Sequence, residues 1–255
     1  MADFSLLIAT FSHEGKLCSE YVVSVFGLRK HCRNKGIDTA ALMITGVSRV
    51  DYARNWLVNN FLWKTDCSHI LLIDDDIGFN VGDLTDMFEW REYDAVGVMY
   101  PRKSFDWKRV KEAVLANPDI EPSVLPHLAG DYTQMFKLAD TAGMTIARRP
   151  IQVTHISAGL MMISRDCLLN LVRSAQLPTI PQAEDSPADF PVYEFFRTGK
   201  QAETCARGAS MGEARHFCEL LNKQGGSVYG CPWIPVTHVG DYSYIGDLPS
   251  ITRHT

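Results

Sequence analysis

Three consecutive carboxylates, Asp74-Asp75-Asp76, follow the apolar run His69-Ile70-Leu71-Leu72-Ile73. Such a run reads as a strand buried on both faces, and strands of an open α/β sheet present their ligand-binding groups at the carboxyl end. Side chains alternate along an extended chain. The spacing therefore predicts Asp74 and Asp76 on one side, able to share a divalent cation, with Asp75 turned away towards a ribose hydroxyl or an arginine. Carboxylates this close repel strongly unless a cation or an arginine stands near them, so a metal gives a physical reason for the triplet. The alternative is plainer: the aspartates could serve the N-terminus of the helix that follows, from about Val81 to Trp90.

A second group comes late in the chain, in Val236-Thr237-His238-Val239-Gly240-Asp241-Tyr242-Ser243-Tyr244-Ile245-Gly246. A histidine closing an extended segment can give a ring nitrogen to the cation of Asp74 and Asp76, and the glycine- and tyrosine-bearing loop after it could fold over a diphosphate; a histidine that only hydrogen-bonds is the alternative. Two carboxylates, one imidazole and substrate oxygens suit Mn2+ somewhat better than Mg2+.

These groups need a scaffold, and the first hundred residues alternate in period. Phe4 to Thr10 reads as a strand, Ser19 to Lys35 as a helix closed by Gly36, Thr39 to Thr45 as a strand, and Arg49 to Lys64 as a helix capped by Ser48. His69 to Ile73 and Ala95 to Met99 are further strands, with a short helix around Leu84 to Trp90. Strands separated by helices imply a mostly parallel central sheet flanked by helices. Beyond Tyr100-Pro101 the pattern loosens. Trp107 to Ala116 is helical in spacing, Asp131 to Leu138 has no clear period, and His155 to Ser164 returns to strand character. Helices are expected over Arg165 to Ala175 and Met211 to Gln224, with extended segments at Ser227 to Tyr229 and Ile234 to His238. The proline-rich stretch 177–191 reads as a surface loop.

The 255 residues suffice for a single α/β domain with a real core, and 46% hydrophobic with 22% charged residues matches a folded, soluble chain. A net charge of -5 without a basic block argues against a nucleic-acid partner. No apolar run reaches the length of a membrane span, so no transmembrane segment is expected, and the opening residues read as a strand rather than a leader. The seven cysteines are scattered and never spaced as CxxC, which points to reduced thiols and a cytoplasmic setting. Gly208-Ala209-Ser210-Met211-Gly212 matches a GxSxG elbow, but polar residues rather than a buried strand precede it, so Ser210 reads as a helix cap. Neither a P-loop nor a GxGxxG follows the first strand.

The succession Ala53-Arg54-Asn55, IDDDIGF, Tyr100-Pro101-Arg102-Lys103, SAGLMMISRDCL, Gly212-Glu213-Ala214-Arg215-His216-Phe217-Cys218 and THVG resembles a metal-dependent glycosyltransferase of the GT-A fold. The order spans nearly the whole chain. The resemblance implies a single GT-A-like, Rossmann-like domain in which residues 1–104 bind a nucleotide sugar and 105–255 supply the acceptor side and a metal-ligand loop. It implies a UDP- or GDP-sugar donor and a glycan or other hydroxyl acceptor. Asp74 and Asp76 become the DxD ligands of Mn2+ or Mg2+, with His238 as the third ligand. Thr10, Arg54, Asp75 and Lys103 become donor contacts, and Trp107, Tyr193 and Trp233, in loop-like segments, candidates for stacking on sugar rings.

One departure bears on catalysis. Related enzymes often carry Glu-Asp ahead of Phe-Cys, one acid serving as base towards the acceptor hydroxyl, whereas this chain has Glu213-Ala214. If Glu213 is the base, the enzyme is intact. If the second acid is the base, Ala214 leaves a slow enzyme, a retaining enzyme that needs no such base, an engineered variant, or a catalytically silent module that binds sugar nucleotide or glycan.

Overall fold

Apolar runs become the central strands here, and the amphipathic stretches between them become helices covering both faces. The computed structural model describes residues 4–132, 136–138, 147–181, 189–200, 210–240 and 244–247. Strand β1 (Ser5–Ser12) is buried from Leu6 to Thr10; helix α1 (Ser19–Asn34) leads to β2 (Asp38–Thr45), and α2 (Val50–Lys64) to β3 (His69–Ile73), buried along its whole length. Next come β4 (Ile77–Phe79), α3 (Val81–Thr85), a 3-10 turn at Asp86–Trp90 and β5 (Ala95–Val98). The middle of the chain forms β6 (Arg102–Phe105), α4 (Trp107–Ala116), α5 (Leu125–Leu128), β7 (Gly130–Asp131), β8 (Phe136–Leu138), β9 (Ile151–Ile156), β10 (Leu160–Ser164) and α6 (Arg165–Ser174). The short pair β11 (Gly199–Lys200) and β12 (Ser210–Met211) precedes α7 (Glu213–Lys223), β13 (Val228–Cys231), β14 (Val236–His238) and β15 (Tyr244–Gly246).

The main sheet has the order β2-β1-β3-β10-β5-β13-β9-β8. β1 pairs in parallel with β2 and β3, and β5 with β13, while β10 and β9 run against their neighbours; six of the eight strands therefore point one way. This is a mixed α/β domain with a mostly parallel sheet. Because side chains alternate, Leu7 and Ile70 join one apolar layer with Leu57, Phe61 and Phe217, whereas Leu6 and Leu71 join another with Leu28, Leu84 and Met162. Helices α2, α6 and α7 cover the first layer, and α1 and α3 the second. Residues 1–104 and 105–255 share this sheet, since β10 lies between β3 and β5.

Three local expectations change. His155 to Ser164 is two strands, not one: β9 ends at Ile156 and β10 begins at Leu160, with Ser157-Ala158-Gly159 turning between them. The turn is set by the main-chain bond from Asp74 N to the Gly159 carbonyl, at 2.8 Å. Helix α2 begins after Arg49, which makes no side-chain cap, and α7 begins after Gly212, so neither Ser48 nor Ser210 is the capping residue. Residues 182–188 of the proline-rich stretch and 241–243 of the loop after His238 lie outside the described residues. Among the described residues no helix is long and apolar enough to cross a membrane, and the six described cysteines are free.

Candidate functional site

The three aspartates sit in the turn joining β3 to β4, and their main chain is tied to three separate segments. Asp74 N donates to Gly159 O at 2.8 Å, Asp75 O accepts from Cys18 N at 3.1 Å, and Asp76 O accepts from Val239 N at 2.8 Å. The start of α1, the β9–β10 turn and the end of β14 are thereby gathered around the triplet. The chain turns here instead of continuing as a strand, and each carboxylate meets different partners.

Asp74 faces Arg54 of α2, whose Nη2 donates to Oδ1 at 2.9 Å and Oδ2 at 3.2 Å; Nη1 of the same guanidinium pairs with Glu213 Oε1 in the first turn of α7. Arg54 is only 3% exposed and lies over the Phe11 ring. Burial works against its charge, but the adjacent Asp74 and Glu213 more than offset this and raise its pKa. Arg54 is thus a buried clamp between two carboxylates rather than an open donor contact. The alternative partner for Arg54, Asp75, lies elsewhere: its carboxyl neighbours Ser12, and burial together with the charges of Asp76 and Asp74 raises its pKa.

Asp76 has other partners: Lys103 of β6, with which it forms an ion pair, and His238 of β14. His238 Nδ1 lies 2.8 Å from the Pro101 carbonyl, which can only accept, so Nδ1 carries the proton. In the neutral ring Nε2 is then the acceptor, and it lies 3.6 Å from Asp76 Oδ1. Asp76 Oδ1 is buried and has no hydrogen-bond partner among the described residues. The His238 ring also meets the Tyr100 ring edge-on, at 5.3 Å between centroids. Tyr100 is buried; its hydroxyl bonds Ser157 Oγ at 2.7 Å and accepts from Gly159 N at 3.1 Å, and burial followed by the charge of Asp74 raises its pKa.

Two acceptors facing each other across such a gap need a cation or a proton between them. Asp76 and His238 therefore fit a divalent ion as two of its ligands, leaving the other positions to substrate oxygens and water, as is common for Mg2+ and Mn2+ at phosphate sites. Asp74 is ion-paired with Arg54. Among the described residues no three His, Cys, Asp or Glu side chains converge into a preformed cage.

The other expected contacts scatter. Thr10 is buried, and its Oγ1 is 2.6 Å from the Tyr21 hydroxyl. Trp107 is 62% exposed and stacks on Phe105 at 4.8 Å. Tyr193 packs against Trp63 and is bonded through its main chain to Asn59, and Trp233 is a core residue, 7% exposed, in the layer of Leu6 and Leu71. Only Trp107 of the three presents an open ring; the loop-like sequence around Trp233 concealed its burial. Ala214 is buried in the opposite layer beside Phe217.

Two roles escaped the sequence reading. Asn55 and Asn59, one helical turn apart on α2, hold the segment 193–196 as a neighbouring strand would: Asn55 Oδ1 accepts from Phe195 N at 2.8 Å and Phe196 N at 2.9 Å, and Asn59 Oδ1 from Tyr193 N at 2.9 Å. Arg165 donates to the carbonyls of Phe61, Leu62 and Thr65, closing the C-terminus of α2 and so fixing the helix that carries Arg54. The pair of asparagines at i and i+4 amid apolar residues was the readable signal.

No protein-family model matches the chain, and no curated protein matches it. Among solved structures it is similar to A197 from STIV, with 12% identity over 94% of this chain and 93% of that one and a TM-score of 0.45. It is also similar to a glycosyltransferase involved in the glycosylation of the major capsid of PBCV-1, with 10% identity over 74% of this chain and 72% of that one and a TM-score of 0.32. Likeness of this degree does not bear on chemistry, which rests on the side chains described above.

Proposed function

We propose that the chain is a glycosyltransferase that moves a sugar from a UDP- or GDP-sugar to a glycan or other hydroxyl acceptor. The observation that carries this reading is the unpartnered Asp76 Oδ1 facing His238 Nε2 beside Lys103, at the carboxyl edge of β3. Such a group suits a diphosphate neutralised from both sides. When bound there, Mn2+ or Mg2+ would act as a Lewis acid towards the leaving diphosphate.

Within the chain, Asp76 and His238 would hold that cation, and Lys103 would give its ammonium group to the phosphate oxygens as their charge grows. Asp75, turned towards Ser12, would stand near the nucleoside. The acceptor oxygen forms a bond to the anomeric carbon as the bond to the diphosphate breaks, and the hydroxyl proton passes to a base. Glu213 is the candidate base: Arg54 fixes Oε1, and Oε2 has no bonded partner among the described residues.

A second reading has its own support. The Arg54 pair engages Glu213, and Ala214 is a buried methyl group in place of a second acid, which would suit a module that binds donor without turning it over. A screen of nucleotide sugars with and without Mn2+, read as both thermal stabilisation and donor hydrolysis or transfer, tests both readings. Metal-dependent stabilisation with turnover is expected. Stabilisation without turnover would favour the silent module, and neither effect with any donor would exclude both.

A further inference from the structure

The outer face of α1 joins exposed apolar side chains to a run of cations. Val23 and Phe26, three residues apart, are 72% and 70% exposed. The same line continues at helical spacing through Lys30 and Arg33, with Arg29 beside it and Lys35 at the C-cap, all exposed. No acidic residue lies between Glu20 and Asp38, although the chain as a whole carries a net charge of -5. None of these four cations pairs with an acid among the described residues. Beside Phe26 a cleft of about 300 Å³ opens between α1 and the edge strand β2, lined by Leu17, Val22, Val25, Leu42 and Met43. Met43 is itself exposed.

We propose that this face docks on an anionic phospholipid bilayer, with Val23 and Phe26 entering the interface and Arg29, Lys30 and Arg33 meeting the headgroups. Protruding apolar side chains and unpaired cations on a single helix face are the two terms that drive interfacial binding, and each is weak alone. The charges select against the main rival. A symmetric dimer through the same face would press Arg29, Lys30 and Arg33 of one copy towards those of the other. An anionic lipid surface complements all three at once.

The test is co-sedimentation of the full chain with vesicles of phosphatidylcholine, with or without one-third phosphatidylserine. Binding is expected only to the anionic vesicles and should weaken as salt is raised. The variants K30E/R33E and V23S/F26S should each lower the bound fraction about tenfold or more. All four positions are exposed on α1, so their melting transitions should stay at the wild-type value, and L115S on the exposed face of α4 should bind normally. Failure of the wild-type chain to sediment with anionic vesicles would overturn the proposal, as would undiminished binding by K30E/R33E. A chain that ignores vesicles but elutes as a dimer, which V23S/F26S converts to a monomer, would assign the face to a second copy and equally overturn it.

Discussion

Arg54, in the middle of α2, and Glu213, in the first turn of α7, are 159 residues apart in sequence and joined in a buried ion pair whose other arm holds Asp74. The first carboxylate of the strand tip and the candidate base are therefore fixed by one guanidinium. Removing it leaves two partly buried carboxylates facing each other without a counter-charge. R54M should destabilise the fold by about 3–5 kcal/mol, measured by urea unfolding. E213Q keeps an oxygen for Arg54 and should cost about 1–3 kcal/mol. If Glu213 is the base, E213Q also abolishes transfer while donor-induced stabilisation survives; transfer at the wild-type rate in E213Q would remove Glu213 from the chemistry.

Gly159 is required by proximity rather than by backbone angle. A Cβ there would stand 2.1 Å from the Tyr100 hydroxyl and 2.4 Å from Asp74 Oδ2, both held in place by other bonds. G159A should therefore cost about 3 kcal/mol, the upper end of over-packing penalties, and displace the Asp74 carboxylate. Y100F removes one of the two obstructions. The double variant G159A/Y100F should be less destabilised than the sum of the single changes, and strict additivity in the same unfolding assay would show that the hydroxyl is not the obstacle.

The elements around this site were largely legible. His69 to Ile73 reads as a strand because all five residues are buried, and α1, α2 and α4 declare themselves by spacing. What could not be read was direction at the tip. The backbone bonds with Cys18, Val239 and Gly159 shape the triplet into a turn, and those partners lie far away in sequence. The same limit hid the break within His155 to Ser164, since a glycine needed for a tertiary approach looks locally like any small residue of an apolar run. Trp233 misled in the opposite sense: proline and glycine neighbours suggest a loop, and the loop is buried.

His69 gives a pH dependence away from the acidic cluster. Its Nε2–H donates to the Arg91 carbonyl at 2.9 Å, its Nδ1 lies 2.8 Å from Ser68 Oγ, and burial lowers its pKa below 6.5. Above pH 6.5 both folded and unfolded chains carry it neutral. Below that value the unfolded chain takes up a proton that the folded chain refuses, so stability falls as pH drops through 6.5 and levels off under the folded pKa. His216, also lowered by burial, adds in the same sense. Thermal midpoints should decline between pH 7 and 5.5 and decline less steeply in H69Q; an identical slope in H69Q would place the proton uptake elsewhere.

The cation proposal separates the three aspartates by function. Asp76 pairs with Lys103 through Oδ2, but its Oδ1 lacks a hydrogen-bond partner and faces a histidine nitrogen whose ring is oriented by the Pro101 carbonyl, so it keeps one oxygen open to a cation. Asp74 has its demand met by Arg54. D76N should therefore abolish Mn2+ binding, followed by manganese spin resonance, with a small change in melting temperature. H238Q should weaken the ion by about tenfold or more. D74N should do the reverse, lowering stability through the stranded Arg54 while leaving most of the metal affinity intact. K103M supplies the sharpest contrast, because Lys103 shares Asp76 with the proposed ion. Removing its charge should tighten Mn2+ in the absence of nucleotide and weaken the nucleoside diphosphate in its presence. Wild-type Mn2+ affinity in D76N would end the assignment, and a loss in D74N equal to that in D76N would return Asp74 to the ligand set at the expense of its bond to Arg54.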